Sequence, residues 1–218
     1  QICTGNMCTV RKNKIYCNKD GIEVVSADPK IFNNTISRNF DNGIVTRAIE
    51  GLVCQPKIYL NNINSNRGNG IFCVGYNNIS IIEDNHYISF NKLAGIRLEN
   101  ECEIIIIKNS IFKNIHQGIL VCENSMGHIE KNKIYENIKA NIALGGVKSS
   151  DTVVIKNEIY GGRCEGIFII EGGMSFIFKN KIYSNYDGIV CCTALPEIER
   201  NSISKNRRHG IIVLKDGQ

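Results

Sequence analysis

Isoleucine recurs along the chain in a two-part rhythm, with a polar corner after each beat. The dipeptide Gly-Ile begins at Gly21, Gly43, Gly70, Gly95, Gly118, Gly166, Gly188 and Gly210, and Asn141-Ile142 fills the one gap. The intervals are 22, 27, 25, 23, 23, 25, 22 and 22 residues. Between them stands a second phrase, Asn-x-Ile-x-x-Asn, as in Asn13/Ile15/Asn18, Asn34/Ile36/Asn39, Asn109/Ile111/Asn114, Asn132/Ile134/Asn137 and Asn180/Ile182/Asn185. Asn85/Ile88/Asn91 carries one extra residue, and Asn157/Ile159 ends in Gly162 instead of Asn. Regular self-similarity at this period marks a repeat architecture.

Each unit holds three short β-type segments: the Gly-Ile stretch, a stretch carrying Ile or Val three residues before the first Asn, and the Ile of the Asn phrase. None has the length or the 3.6-residue period of a helix. Three strands and three corners in 22–27 residues predict an all-β parallel solenoid of nine to ten coils. With coils ~4.8 Å apart the rod is roughly 45 Å long. Stacked Ile side chains then form ladders inside. The first Asn is expected at a sharp corner, taking the left-handed backbone and bonding along the stack. The Gly is expected at another corner, where a side chain would obstruct the turn. Both ladders are read as structural.

Composition agrees: 43% of 218 residues are hydrophobic and 22% charged, with 38 Ile, 28 Asn, 3 Pro and no Trp. The Ile, Asn and Lys bias also fits an AT-rich genome. Apolar runs such as Ile104–Ile107 are far short of the ~20 residues that span a bilayer. The opening Gln1-Ile2-Cys3-Thr4 shows no leader pattern and no Met, and the chain begins and ends inside the repeat. It reads as one domain over residues 1–218, a piece of a longer chain. A net charge of +5 does not by itself demand nucleic acid. The ten Cys follow the repeat and not a disulfide framework, which predicts free thiols and an intracellular, cytoplasmic location, against the opposing hint of sequons at Asn33 and Asn78. Cys73 and Cys191 fall at inward positions and are expected in the core. His86, His116, His128 and His209 have no metal spacing, so no metal or other cofactor is expected.

The alternation of Gly-Ile-x-[Val/Leu/Ile] with Ile-x-[Lys/Arg]-Asn-x-Ile-[Tyr/Phe]-x-Asn, as in Gly118–Val121 followed by His128–Asn137, resembles the right-handed β-helix repeats of the pectate-lyase superfold. It is most similar to the β-helix region of F-box β-helix proteins, from about residue 8 to residue 214. That resemblance implies a right-handed parallel β-helix, and a substrate-recognition module of a ubiquitin ligase. Neither the F-box nor the zinc-binding domain of that family is in this sequence.

A carbohydrate-active β-helix would need clustered carboxylates with a base. The nearest set is Glu99, Glu101 and Glu103 beside Arg97, whose alternate spacing puts the carboxylates on one side of an extended segment. Asp20 and Asp41 sit near the Gly corner and read as turn residues. The outward positions are more informative. Two residues after each Gly position stand Glu23, Val45, Phe72, Arg97, Leu120, Ala143, Phe168, Val190 and Ile212, seven of them apolar. The third segment points Phe112, Tyr135, Tyr160 and Tyr183 outward in four consecutive coils. Phe72, Leu120, Phe168 and Val190 form one candidate protein-binding face, the four aromatics another. Lys108, Lys131, Lys156, Lys179 and Arg200 precede the first Asn in five consecutive coils, a candidate track for an acidic partner with Glu130 and Glu199 as counter-charges. Aromatics are not interleaved there, which argues against nucleic acid. The reading is a non-catalytic protein-recognition or scaffold module that uses no membrane. The alternatives are a carbohydrate-active, lyase- or epimerase-like β-helix with a polysaccharide partner, and a structural rod in a large intracellular assembly.

Overall fold

Alternation along an extended strand sends successive side chains to opposite faces. In Glu103–Ile107, Ile104 and Ile106 are buried while Ile105 points out. The computed structural model describes residues 8–49, 51–146, 152–171 and 174–215. The opening Gln1-Ile2-Cys3-Thr4 lies outside the described residues. Among those described, 27 strands of three to five residues form three parallel sheets of nine strands each. Sheet A runs from Thr9–Arg11 to Glu197–Glu199, sheet B from Lys14–Tyr16 to Ser202–Ser204, and sheet C from Ile22–Val25 to Ile211–Leu214. Every strand pairs with the strand one coil away, so the chain winds through A, B and C in turn. Among the described residues no helix is long and apolar enough to cross a membrane.

The registers put like on like. Ile58, Ile82, Ile106 and Ile129 are partners in sheet A; Ile111, Ile134, Ile159 and Ile182 in B; Ile96, Ile119, Ile142 and Ile167 in C. All twelve are fully buried. Cys73 and Cys191 join this core, as expected from their place in the repeat.

The Asn corners differ from expectation in one respect. The left-handed residue is the one before the Asn: Lys108, Lys131, Lys156, Lys179 and Arg200 have φ of 56°, 54°, 55°, 54° and 53°. The αL residue swings its own side chain outward, and the following Asn turns in and is buried. Each amide is then fully used. Asn132 donates from its backbone N (2.9 Å) and its Nδ2 (3.1 Å) to Asn157 Oδ1, and its Nδ2 also donates to Ile106 O at 2.8 Å. The same N–H to Oδ1 bond links Asn13, Asn34, Asn61, Asn85, Asn109, Asn132, Asn157, Asn180 and Asn201 in unbroken series. A buried amide left unpaired costs about 1–3 kcal/mol, so the ladder is what allows so much Asn in the interior.

The glycines also act differently from expectation. None of the Gly-Ile glycines has left-handed backbone, so the turn does not demand them. The neighbouring coil does: a β-carbon on Gly118 would lie 2.5 Å from Asn141 O, 2.6 Å from Ile134 Cγ2 and 2.7 Å from Asn137 Nδ2.

The two irregular positions of the repeat compensate one another. Where Asn141 replaces Gly, its amide occupies the place that a second Asn at 162 would fill, and Gly162 leaves the room. Asn137 Nδ2 donates to Asn141 Oδ1 at 2.8 Å, and Asn141 Nδ2 donates to Asn185 Oδ1 at 2.9 Å. The second ladder thus passes through residue 141 instead of residue 162. Gly162→Asn alone puts two amides in one space; Asn141→Gly alone takes from Asn137 its closest acceptor, leaving its Nδ2 only the 3.4 Å bond to Ile111 O, and takes a donor from Asn185 Oδ1. Each is expected to cost about 1–3 kcal/mol. The double substitution restores the regular repeat and is expected to recover at least ~1 kcal/mol of coupling in a urea-denaturation cycle. Additive losses would show that the two positions are independent.

Candidate functional site

With the interior filled, chemistry is left to the outer faces and the corners. On sheet C the second residues of the strands form one column in register: Glu23, Val45, Phe72, Arg97, Leu120, Ala143, Phe168, Val190 and Ile212. Phe72, Leu120, Phe168 and Ile212 are half-buried, and Val45, Ala143 and Val190 are buried by their position beside larger neighbours. The fourth residues form a second column that the repeat alone did not single out. In the last three coils it carries Ile170, Cys192 and Leu214 beside Phe168, Val190 and Ile212, an unbroken apolar area. Exposed Tyr76, Met174 and Leu195 stand on loops that leave this sheet.

One ion pair interrupts the apolar columns. Arg97 Nη2 lies 2.7 Å from Glu99 Oε2, and the guanidinium is 5.8 Å from the centroid of the Phe72 ring. The side chains are 33% and 18% exposed, so the pair is partly desolvated. The carboxylate row expected at Glu99, Glu101 and Glu103 does not form. Asn100 and Glu101 both take left-handed φ, 59° and 61°, and this bend puts Glu99 on sheet C and Glu103 on sheet A. Asp20 has a structural use, accepting from Asn42 N at 2.9 Å and Nδ2 at 3.0 Å at the head of a third short ladder. Burial, with Asp20 nearby, raises the carboxyl of Asp41. Among the described residues no three His, Cys, Asp or Glu are grouped to hold a metal ion. The nine described cysteines are free thiols, and burial pushes Cys102 and Cys191 up to about 11, which leaves them inert.

On sheet B, Phe112, Tyr135, Tyr160 and Tyr183 stack in four consecutive coils, with ring centroids 4.8, 4.8 and 5.0 Å apart and planes within 8°. The rings face each other and offer solvent their edges. Tyr183 donates its hydroxyl to Glu158 Oε1 at 2.9 Å; burial and that carboxylate push the phenol up to about 12.

Between sheets A and B runs the basic corner. Glu130 Oε1 is 2.9 Å from Lys131 Nζ and 3.7 Å from Lys156 Nζ, and Glu199 Oε1 is 2.8 Å from Arg200 Nε, as the stacked cations led one to expect. Lys179 Nζ instead sits 4.7 Å from the Phe178 ring centroid. Lys108, Lys131 and Lys133 edge a hollow of about 560 Å³, with His86, the extra residue of its Asn phrase, on its wall. Lys131 and Lys133 continue, with Lys156, Lys179 and Lys181, into a second hollow of about 340 Å³. A third, of about 390 Å³ on the outer face of sheet A, is lined by Ile79, Ile81, Ile105, Met126 and Val153. It was not foreseen, although the run Ile104–Ile107 signalled it, since four successive Ile cannot all point inward.

The model of the family described as the right handed beta helix region matches residues 94–218, more than half of the chain. Among solved structures, the A-module of mannuronan C-5 epimerase AlgE6 from Azotobacter vinelandii is similar over 96% of this chain and 57% of its own, with a TM-score of 0.53 and 16% identity. At that identity the likeness is one of fold, and the chain spans little more than half of that structure. Comparison with curated protein sequences gives no match.

Lys131, His128 and Lys156 hold the Glu130 carboxyl at about 2, well below its ordinary 4.5. A depressed carboxyl stabilises the folded state above the ordinary value and loses that contribution as pH falls toward the lowered one. Glu130→Gln is therefore expected to lower the melting temperature at pH 7, with the gap to the parent closing between pH about 4.5 and pH about 2. A gap independent of pH would mean that packing, and not charge, is what the substitution removes.

Proposed function

The chain belongs to the right-handed β-helix family, and from that premise we propose that it is a non-catalytic recognition module whose partner is another protein. The observation that carries this reading is the outer face of sheet C. Phe168, Ile170, Val190, Cys192, Ile212 and Leu214 are contiguous and outward, and the ladders inside do not use them. Core patches of protein interfaces are apolar, depleted in charge and often anchored by Arg. Arg97, half-shielded beside Phe72 and paired with Glu99, suits that anchoring role. An intracellular, cytoplasmic location belongs to the same reading, supported by the nine free thiols. The finer assignment, to the substrate-recognition part of a ubiquitin ligase, rests on the likeness of the repeat to F-box β-helix proteins.

The second reading is a carbohydrate-active β-helix. It is favoured by the fold it shares with the mannuronan C-5 epimerase module. On this reading Arg97, the half-buried cation of sheet C, would meet a uronate carboxylate.

The two separate in one set of variants. Leu120→Ser with Phe168→Ser is expected to keep native circular dichroism and to lose a protein captured by the parent chain from cell extract. Tyr135, Tyr160 and Tyr183 changed together to Ser are expected to keep it, because their faces are already spent on one another. Capture unaffected by the first variant would overturn the sheet C assignment. Exchange of sugar C–H protons with deuterated water on incubation with mannuronan, abolished by Arg97→Ala, would establish the second reading instead.

A further inference from the structure

The basic corner is not explained by the fold. The same left-handed position is filled by Asn33, Leu60 and Asp84 in earlier coils, with φ of 54°, 55° and 48°, so its geometry accepts neutral and acidic residues. Five successive cations then follow, Lys108, Lys131, Lys156, Lys179 and Arg200, stacked at strand spacing where like charges repel. The next outward column adds Lys133 and Lys181 on either side of Glu158. Compensation is incomplete: Glu130 is shared by Lys131 and Lys156, Glu199 is taken by Arg200, and Glu158 is bonded by Tyr183. Lys108, Lys133 and Lys181 form no ion pair among the described residues. The two hollows share Lys131 and Lys133 and so adjoin as one trough along the rod axis, edged by six lysines against two carboxylates, Asp84 and Glu158.

We propose that this trough binds a run of Glu and Asp residues in a partner polypeptide, as a site separate from sheet C. Three observations select that chemistry. The cations inside the trough are all Lys; flexible point charges suit carboxylates on a mobile chain, whereas phosphate is better matched by the bidentate Arg fork. The aromatic column beside the trough has its ring faces covered at 4.8–5.0 Å, Tyr59 on the trough wall is stacked on Phe32 at 4.8 Å, and Phe178 lies under the Lys179 ammonium at 4.7 Å, so these rings are engaged and make a poor platform for bases or for sugar rings. An acidic peptide needs no such platform. From Lys108 to Lys179 the trough spans four coils, about 14 Å at strand spacing, the length of roughly four extended residues.

The test uses fluorescence anisotropy with labelled octaglutamate, a thymidine octanucleotide and an octagalacturonate. Octaglutamate is expected to bind, the more weakly the higher the salt, and to outcompete the other two. Lys133→Gln with Lys181→Gln removes two positive charges without stacking like charges on Glu158. This variant is expected to weaken octaglutamate binding roughly tenfold or more. Lys12→Gln with Lys14→Gln, the same charge change in the first coil, is expected to leave it unchanged, as is Leu120→Ser with Phe168→Ser on sheet C. The proposal falls if octaglutamate does not bind, if the first-coil variant weakens it equally, or if the nucleotide or uronate binds as well. None of these outcomes bears on the sheet C assignment, which stands or falls on its own variants.

Discussion

A buried amide needs partners at both ends, and this chain meets that demand by stacking one Asn on the next. The Oδ1 of Asn157 receives two donors from Asn132, and the Nδ2 of Asn132 also reaches the carbonyl of Ile106 in the coil on its other side. Asp in this place would set carboxylate oxygens against a carbonyl, and Ala would leave N–H groups unpaired. Because each bond crosses between coils, the ladder also fixes register: a slip of one residue would send Ile134 outward and the flanking polar residues into the core. Burial of the Ile ladders supplies the drive toward a closed coil, and the amides decide which coil.

Committing the interior in this way separates stability from recognition. Ile, Asn and Gly face inward or toward the neighbouring coil and are constrained by contacts such as the close approach at Gly118. The outward residues are free of that constraint, yet they are sorted by face: apolar on sheet C, stacked aromatics on sheet B, cations at the corner between A and B. Sorted faces on a stack of coils suit recognition of extended or flat partners, since neighbouring coils present like groups at a fixed interval.

Much of the fold was legible because every coil repeats the same phrase. The nine coils, the three sheets and the inward Ile positions all follow from the spacing of Gly-Ile and Asn-x-Ile-x-x-Asn. What escaped the sequence lies one residue or one coil away from the motif. The left-handed backbone belongs to residues such as Lys131 and not to Asn132, because side-chain type alone does not tell which of two adjacent corner residues takes positive φ. The need for Gly arises between coils, and a single coil's pattern cannot display it. The exchange of Asn141 with Gly162 looked like two unrelated exceptions until the ladder joined them. The outward stripes were legible in residues such as Phe168 and Tyr160. Their surroundings were not: the second column through Ile170, the covered faces of the Tyr stack and the bend that separates Glu99 from Glu103 all depend on neighbours in space.

If the amide ladder governs the structure, its side-chain protons should be among the slowest to exchange. Nitrogen-15 labelling of Asn and solvent exchange followed by NMR would resolve them. The NH2 protons of Asn109, Asn132, Asn157 and Asn180 are predicted to be protected as strongly as the backbone amides of Ile106 and Ile134. Exchange at the rate of exposed Asn, with those backbone amides still protected, would show that the Ile core alone holds the coils and that the ladder is incidental.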